Sequence, residues 1–486
     1  MNKKQIYFLG IGGIGMSALA RYFNAKGYEV SGYDRTQTVL TKELESEGIV
    51  IHYSANIPLV ENLPTETLII YTPAVPEDFE EFVYFKNNGY RMMKRAQVLG
   101  EITRESKGIC IAGTHGKTST STMTAHLIYQ SNVGCNAFLG GVSKNYDTNL
   151  LLTSTLTRIC NPCADNVGTD CKSAPANDLE FVVIEADEYD RSFHQLSPYM
   201  ALITAVDADH LDIYGSKNEF KKGFEKFASL VKPNGYLIVK EEIELSVHPS
   251  LPLGKLGGAF TYGMNKGDFH AENINIENGE IHFDFVTPTE TIPNIQLGVP
   301  VLINVENAVG AMALAYLAGV SPEELREGMK SFAGIRRRFD FQVKTDKIVY
   351  IDDYAHHPEE LRASISSIKT LYPNKKVCGI FQPHLYTRTR DFMDGFAETL
   401  SMLDELILLD IYPARELPIE GVSSDIIFDK ATIKNKTRAT KENLLELLKN
   451  KELEGVLVTF GAGDIDTCVP KIKEMLTEKQ NIEHID

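Results

Sequence analysis

The sequence predicts an α/β protein with mainly parallel sheets. Apolar runs of strand length recur along the 486 residues, and amphipathic segments of helix length separate them. Run after run also stops at a polar motif, and open α/β sheets bind ligands at the carboxyl ends of their strands. Residues 6–9 lead into a glycine loop, 29–33 into Asp34, 68–71 into Thr72-Pro73-Ala74, and 108–112 into Gly113. Residues 181–184 meet Glu185-Ala186-Asp187-Glu188, 202–206 meet Asp207-Ala208-Asp209-His210, and 348–351 meet Asp352-Asp353-Tyr354. Runs 377–381, 405–409 and 456–460 behave the same way. Polar residues collected at such ends read as functional.

Length and composition bound the rest. A chain of 486 residues exceeds one ordinary core. One boundary is expected near 104, in the charged stretch 101–107, and a second near 334, where Phe332-Ala333-Gly334 ends a helical segment. The expected domains are therefore 1–104, 105–333 and 334–486. With 43% hydrophobic and 24% charged residues, the composition is that of a soluble globular protein. A net charge of -17 argues against nucleic-acid binding, which needs a basic footprint. No apolar run approaches the roughly 20 residues needed to cross a bilayer, so no membrane role is expected. The start, Met-Asn-Lys-Lys-Gln, enters a strand pattern without a cleavable signal. Seven irregularly spaced cysteines read as reduced thiols of a cytoplasmic protein. Residues 158–177 are polar and aperiodic and carry Cys160, Cys163 and Cys171; this segment reads as a surface insertion, short of the four ligands of a structural zinc site.

The strongest chemical signal is Gly113-Thr114-His115-Gly116-Lys117-Thr118, between a strand and a helix predicted over 119–131. Two glycines let the loop fold tightly, so that its N–H groups face phosphate oxygens near the helix N-terminus. Lys117 would neutralise β- and γ-phosphates, and the Thr118 hydroxyl would reach a magnesium ion. The spacing G-x-x-G-K-T is shorter than the usual nucleotide loop. Near the N-terminus, Gly10, Gly12 and Gly15 fit G-x-G-x-x-G directly after a strand, and Asp34 ends the next strand, where a ribose would be met. By itself this motif also fits a nicotinamide-dependent oxidoreductase, which would not explain the second loop. Glu185 and His210 follow strands that would converge beside that loop, and together they suit Mg2+ or Mn2+ if phosphate oxygens and water complete the shell. Singly, they read equally as a solvated glutamate and a helix cap.

Taken together the motifs resemble the Mur ligase family. The matching segments are 10–20 (GIGGIGMSALA), 113–120 (GTHGKTST), 185–190 (EADEYD), 209–212 (DHLD), 304–307 (NVEN), 334–340 (GIRRRFD), 352–358 (DDYAHHP), 381–391 (FQPHLYTRTRD) and 461–465 (GAGDI). They stand in the family's order across nearly the whole chain. The resemblance implies an N-terminal Rossmann-like UDP-binding domain, a central P-loop ATPase-type domain and a C-terminal Rossmann-like domain. It implies an ATP-dependent ligase of peptidoglycan precursor synthesis. ATP would phosphorylate the lactyl carboxylate of UDP-N-acetylmuramate, and the amine of L-alanine would attack the acyl phosphate.

The site residues follow from the same resemblance. Gly10, Gly12, Gly13, Gly15, Met16, Ser17, Asp34 and Thr72 would hold the UDP-sugar, with no nicotinamide cofactor. ATP would meet residues from Gly113 to Lys117, then Thr118, Ser119, Asn304, Asn307 and Asp353. Lys117, Glu185, His210 and Arg338 would be catalytic, and Thr118, Glu185 and His210 would hold the metal. Tyr354, His356 and Arg388 are the candidates for the amino acid, an arginine fork being suited to its carboxylate. Many relatives carry an arginine where this chain has Leu385, which loosens that last assignment. His357 before Pro358 reads equally as a helix cap, and Arg336, Arg337 and Arg390 as solvated charges. Later-acting relatives carry a modified lysine where this chain has Glu225, which fits the alanine-adding member. The alternative within the family is a recycling ligase that joins a tripeptide to the same sugar. A non-catalytic nucleotide sensor is disfavoured by the intact Lys117, Glu185, His210 and Arg338. A monomer or weak homodimer is expected.

Overall fold

The computed structural model describes residues 4–153, 180–207, 211–245, 258–277, 280–414 and 416–483. The expected insertion 158–177, with its three cysteines, lies outside the described residues. By its contacts the chain divides into two compact units. One comprises Met1–Ile274, His282–Gly298 and Val305–Ala333, and the other Asn275–Ile281, Val299–Asn304 and Gly334–Asp486. The architecture is α/β, as the sequence predicts.

The first unit contains two large sheets. β1 (Gln5–Leu9), β2 (Glu29–Tyr33), β3 (Val50–His52), β4 (Leu68–Tyr71) and β5 (Met92–Lys94) lie in the order β3-β2-β1-β4-β5, all parallel. Tyr7, Phe8 and Leu9 are buried because helices cover both faces, which is why β1 reads as a continuous apolar run. The strand order reverses direction at β1, so the glycine loop after it opens at a switch point.

The second sheet holds β6 (Lys107–Ala112), β7 (Asn136–Ser143), β8 (Thr148–Leu151), β9 (Phe181–Glu185), β10 (Met200–Ile203), β11 (Tyr236–Lys240) and β12 (Gly258–Tyr262). Their order is β12-β11-β10-β6-β9-β7-β8, with β8 antiparallel to β7. β6 therefore lies between β9 and β10, and the loops after all three share one edge. β10 ends at Ile203, earlier than the run 202–206 predicts. Thr204 leaves the strand to donate its hydroxyl to Ala112 O and His115 O. A smaller sheet of β13 (His270–Glu277), β14 (Glu280–Val286) and β15 (Thr291–Gln296) was not legible as such, and β14 pairs antiparallel with β15.

The helix Ile14–Ala25 ties the two sheets of this unit together. Asn149 on β8 is fully buried and donates to Ile14 O at 2.6 Å and Ser17 Oγ at 2.9 Å. Its own oxygen accepts from Arg21 at 2.6 Å, and Arg21 also pairs with Glu43 and Glu47.

In the second unit, β16 (Asp340–Lys344), β17 (Ile348–Asp353), β18 (Val377–Phe381), β19 (Glu405–Leu408), β20 (Lys436–Arg438) and β21 (Gly455–Phe460) form the sheet β16-β17-β21-β18-β19-β20. β16 is an antiparallel edge and the rest are parallel. β17 includes Asp352 and Asp353, which the apolar pattern put just beyond its end. Both are drawn into the strand by pairing with Thr459 and Phe460 of β21. Among the described residues no helix is long and apolar enough to cross a membrane.

Candidate active site

The loop after β6 is built on its two glycines. Gly113 has φ 136° and Gly116 φ 79°, both in the region that L side chains avoid. A Cβ on Gly113 would lie 2.0 Å from Thr204 Oγ1, and one on Gly116 would lie 2.8 Å from Asn307 Oδ1. Thr114 N donates to Ala205 O at 3.1 Å, and Asp207 N to Thr114 Oγ1 at 3.2 Å, so the end of β10 forms one wall. His115 is half-exposed, with Nε2 3.9 Å from Asp207 Oδ2. The helix that follows, Lys117–Tyr129, starts two residues before the predicted 119–131. Its sequence KTSTSTMTAHLIY is poor in strong helix formers, yet its buried hydroxyls bond the preceding turn. Thr122 and Thr124 donate to Thr118 O and Thr120 O, each at 2.7 Å. Ser119 and Thr118 thereby stand in the first turn, beside the loop.

Lys117 turns inward. Its Nζ lies 2.9 Å from both oxygens of Glu188 and also donates to Gly113 O and Thr114 O. Glu188 is 3% exposed, and burial pushes its carboxyl up from the ordinary range against the pull of Lys117. The motif 185–190 points by resemblance to its first glutamate; the partner of Lys117 is its second. Only the fold joins these two residues, so no local signal announced them.

Glu185 ends β9 on the other side of the loop. Its Oε2 is buried without a hydrogen-bond partner, against Gly140 of β7, where a Cβ would come within 1.9 Å of it. An orphaned carboxylate oxygen in this position fits a cation, since buried acceptors rarely go unmatched. His210 lies outside the described residues, three positions beyond Asp207. Asn307, 9% exposed, directs its Oδ1 at Thr120 Oγ1 (3.4 Å) and braces the loop. Asn304 lies one helical turn earlier on Leu302–Leu317, with Nδ2 3.5 Å from Val299 O.

In the glycine loop after β1, Gly10 has φ 84° and packs against Thr72, whose Cγ2 would lie 2.6 Å from an added Cβ. Gly12 N donates to Asp34 Oδ2 at 2.7 Å, and Thr36 N to Oδ1 at 3.0 Å. Asp34, expected to meet a ribose, thus also holds the loop in shape; each oxygen keeps a lone pair for a hydroxyl donor. Gly13 caps the helix Ile14–Ala25. Met16 and Ser17 are buried behind the loop, and the Ser17 hydroxyl donates to Ile14 O and accepts from Asn149. Gly15 is covered by Arg95, which pairs with Asp187 at 3.3 Å.

The second unit gathers a separate set. Arg337 and Arg338 lie over the Tyr354 ring, 5.1 and 5.0 Å from its centroid. Arg337 is not a solvated charge: it donates to Gly461 O at 2.7 Å and pairs with Asp352 at 3.5 Å. Arg336 and Arg390 are exposed, and Arg390 pairs with Asp391 at 2.7 Å. Asp353 is 8% exposed, accepts from Ser364 at 2.6 Å, and is pushed up by burial, with Arg338 opposing. Asp352 beside it rises to about 6, again through burial, with Thr459 and Arg337 opposing. His357 does cap the helix Pro358–Leu371. His356 Nδ1 donates to Tyr354 O at 3.0 Å, and the imidazole is lowered by burial, with Glu360 opposing and Arg388 and Arg338 adding to the effect. Arg388 lies 3.2 Å from His384 Nδ1, and His384 stands 6.1 Å from the His356 ring, so Tyr354, His356 and Arg388 are brought together around a histidine that was not singled out. Leu385 between them has φ 71°, a strained conformation for a branched side chain.

Three family models match the chain. They are the Mur ligase family, catalytic domain, over residues 5–107, the Mur ligase middle domain over 111–315, and the Mur ligase, glutamate ligase domain, over 337–463. The UDP-N-acetylmuramate–L-alanine ligase of Phocaeicola vulgatus is 55% identical over 98% of this chain and 99% of its own. That of Porphyromonas gingivalis W83 is 50% identical over 97% and 99%. Among solved structures, the UDP-N-acetylmuramate-alanine ligase of Thermotoga maritima superposes with a TM-score of 0.77 at 28% identity, covering 98% and 99% of the two chains. A murein peptide ligase of Psychrobacter arcticus, at 22% identity and TM-score 0.65, shares the fold. With matches spanning all but its ends and linkers, the chain belongs to the Mur ligase family.

Proposed function

We propose that this protein joins L-alanine to UDP-N-acetylmuramate at the expense of ATP, releasing ADP and phosphate. The observation that carries the reading is the pairing, at adjacent strand ends, of a phosphate loop with Lys117 and of Glu185 with an unpartnered buried oxygen. The relatives above, named for this reaction and spanning the whole chain, support it.

The chemistry needs positioning and charge neutralisation rather than a covalent enzyme intermediate. A carboxylate is a poor electrophile, so an oxygen of the lactyl carboxylate attacks the γ-phosphorus and ADP departs. The neutral amine of alanine then attacks the acyl carbon, and the tetrahedral intermediate collapses by expelling phosphate. Lys117 leaves Glu188 for the phosphates and offsets charge on the transferring group. The N–H groups between Gly113 and Ser119 face the same oxygens. Thr118, Glu185 and His210 would hold Mg2+ (or Mn2+), which supplies charge to the phosphate oxygens when bound. Asn304, Asn307 and Asp353 serve the nucleotide, and Arg338 contacts its phosphates. Gly10, Gly12, Gly13, Gly15, Asp34 and Thr72 receive the UDP-sugar, with Met16 and Ser17 supporting from behind. Tyr354, His356 and Arg388 receive alanine. Domain limits at 104/105 and 333/334, a cytoplasmic setting and a monomer or weak homodimer complete the proposal.

The test is ADP release with UDP-N-acetylmuramate and either L-alanine or the tripeptide as acceptor. Turnover with L-alanine is expected. Turnover with the tripeptide alone would refute the assignment in favour of the recycling reaction.

A further inference from the structure

The sheet β3-β2-β1-β4-β5 also holds a buried polar cluster. Tyr7 of β1 is 1% exposed, and Glu81, on the helix Glu80–Asn87, is wholly buried. His52, the last residue of β3, joins them. Tyr7 Oη lies 2.5 Å from Glu81 Oε2 and 2.6 Å from His52 Nε2. On the other side of the ring, His52 Nδ1 lies 2.7 Å from Ser54 O, a carbonyl that only accepts, so Nδ1 carries a hydrogen.

The cluster can then be counted. The contacts of Nε2 with Oη and of Oη with Oε2 need two hydrogens, and the Tyr7 hydroxyl brings one. Burial, reinforced by Glu81, pushes that hydroxyl far up, so it keeps its proton. The second hydrogen sits on His52 Nε2 or on Glu81. Glu81 Oε1 accepts from Asn56 N at 2.8 Å and faces His52 Nε2 at 3.5 Å, and such neighbours favour the charged carboxylate. That leaves the hydrogen on Nε2, where it donates to Oη while Nδ1 donates to Ser54 O. Tyr33 is the other titratable group against the ring, with centroids 5.6 Å apart. It is raised by burial, Glu81 and Asp34, with Arg35 opposing, and also keeps its proton.

His52 supports the glycine loop from behind. Its carbonyl accepts from Asp34 N at 3.1 Å, and its ring lies against Tyr33. Tyr33 O in turn receives Gly10 N at 2.8 Å and Ile11 N at 3.0 Å, and Asp34 Oδ2 receives Gly12 N. Both residues that His52 touches are thus the acceptors that shape the loop.

We propose that His52 is a positioning residue, an imidazolium held by Glu81 through Tyr7, which sets Tyr33 and Asp34 for the sugar nucleotide. The inference rests on the reading of the N-terminal loop as the UDP-sugar site.

Two measurements on the full chain test it. A long-range nitrogen–proton NMR spectrum of the histidine-labelled protein at neutral pH should show both ring nitrogens of His52 protonated. In Glu81→Gln the amide supplies the second hydrogen to Tyr7, so the same spectrum should show Nδ1 alone protonated. Steady-state kinetics with UDP-N-acetylmuramate and ATP varied in turn give the functional readout. His52→Phe keeps a ring against Tyr33 but loses both donors, and should raise the KM for the sugar nucleotide about tenfold. The KM for ATP stays within about twofold, because that loop lies on another sheet. Tyr7→Phe deletes one oxygen, should act in the same direction, and carries the test if His52→Phe fails to fold. Glu81→Gln keeps the chain of hydrogen bonds complete, so both KM values stay within about twofold. A neutral His52 in the wild type would overturn the proposal. So would equal rises in both KM values, or none, for His52→Phe and Tyr7→Phe, or a tenfold rise for Glu81→Gln. A wild type that shows the imidazolium but does not turn over UDP-N-acetylmuramate would instead refute the function on which it rests.

Discussion

Gly140→Ala is a one-methyl test of the metal-facing carboxylate. Gly140 lies in β7 with an unremarkable φ, so its backbone accepts alanine without strain. The new Cβ, however, would stand 1.9 Å from Glu185 Oε2 and 2.5 Å from Cδ. Ordinary carbon contacts need about 3.5 Å, so the carboxylate must retreat by about 1.5 Å. The moving atoms are the free end of a side chain, and the strand gains about 0.5–1 kcal/mol from losing a glycine. Stability should therefore change by less than about 1 kcal/mol. Activity should not be spared, since a shift of about 1 Å in a positioned group costs on the order of a hundredfold, or about 2.7 kcal/mol of barrier. Phosphate release at saturating ATP, sugar nucleotide and alanine reads kcat, and a Mg2+ titration reads the metal requirement, which should move to higher concentration. A variant that keeps kcat within about threefold, at unchanged Mg2+ dependence, would show that the Glu185 carboxylate is not where the chemistry needs it.

Other substitutions probe other parts. Lys117→Ala should reduce ATP turnover by a factor of at least about 10³, with UDP-sugar binding retained in calorimetry; normal phosphate release would remove the loop from the mechanism. Asn149→Ala removes its bonds to Arg21, Ile14 O and Ser17 Oγ, while Arg21 keeps Glu43 and Glu47 and Ile14 O keeps the Ser17 hydroxyl; the cost is about 2 kcal/mol, visible as a lower thermal midpoint together with a raised KM for the sugar nucleotide. His126, buried between Tyr146 OH and Ser331 Oγ, is lowered to about 4 by desolvation. Its folded value lies below the unfolded one of about 6.5, so its contribution is complete above that pH and is lost as pH falls towards 4, by about 3 kcal/mol in all. His126→Asn should flatten the fall of the thermal midpoint between pH 6.5 and 4.5; an unchanged slope would show that another group sets it.

What the sequence disclosed was what chemistry demands of neighbouring positions. Gly113, Gly116 and Lys117 had to be close together because one tight turn must do all the work at the phosphates. Asp34 was legible because a strand of known length carries it to the loop. What stayed hidden was set by pairings across the sheets. Glu188 meets Lys117 only because β9 lies beside β6, and Thr204 walls the loop only because β10 lies on its other side. Gly140 reads as an ordinary strand glycine until Glu185 is seen above it. Arg337 had the look of a surface charge, and only the return of β21 beside β17 supplies the carbonyl and carboxylate that hold it. His384 likewise acquires meaning from its distance to His356 and Arg388.

The hold of Glu188 on Lys117 bears on what the loop admits. With its lysine answered by a carboxylate at 2.9 Å, the loop presents little net positive charge to passing anions. A lone orthophosphate offers the ammonium no more than Glu188 already does, and brings a second like charge towards a buried acid. A triphosphate, reaching several N–H groups at once, compensates for the broken pair. The internal partner thus acts as a threshold that screens ligands by how many contacts they bring, so abundant small anions are poor competitors for the nucleotide.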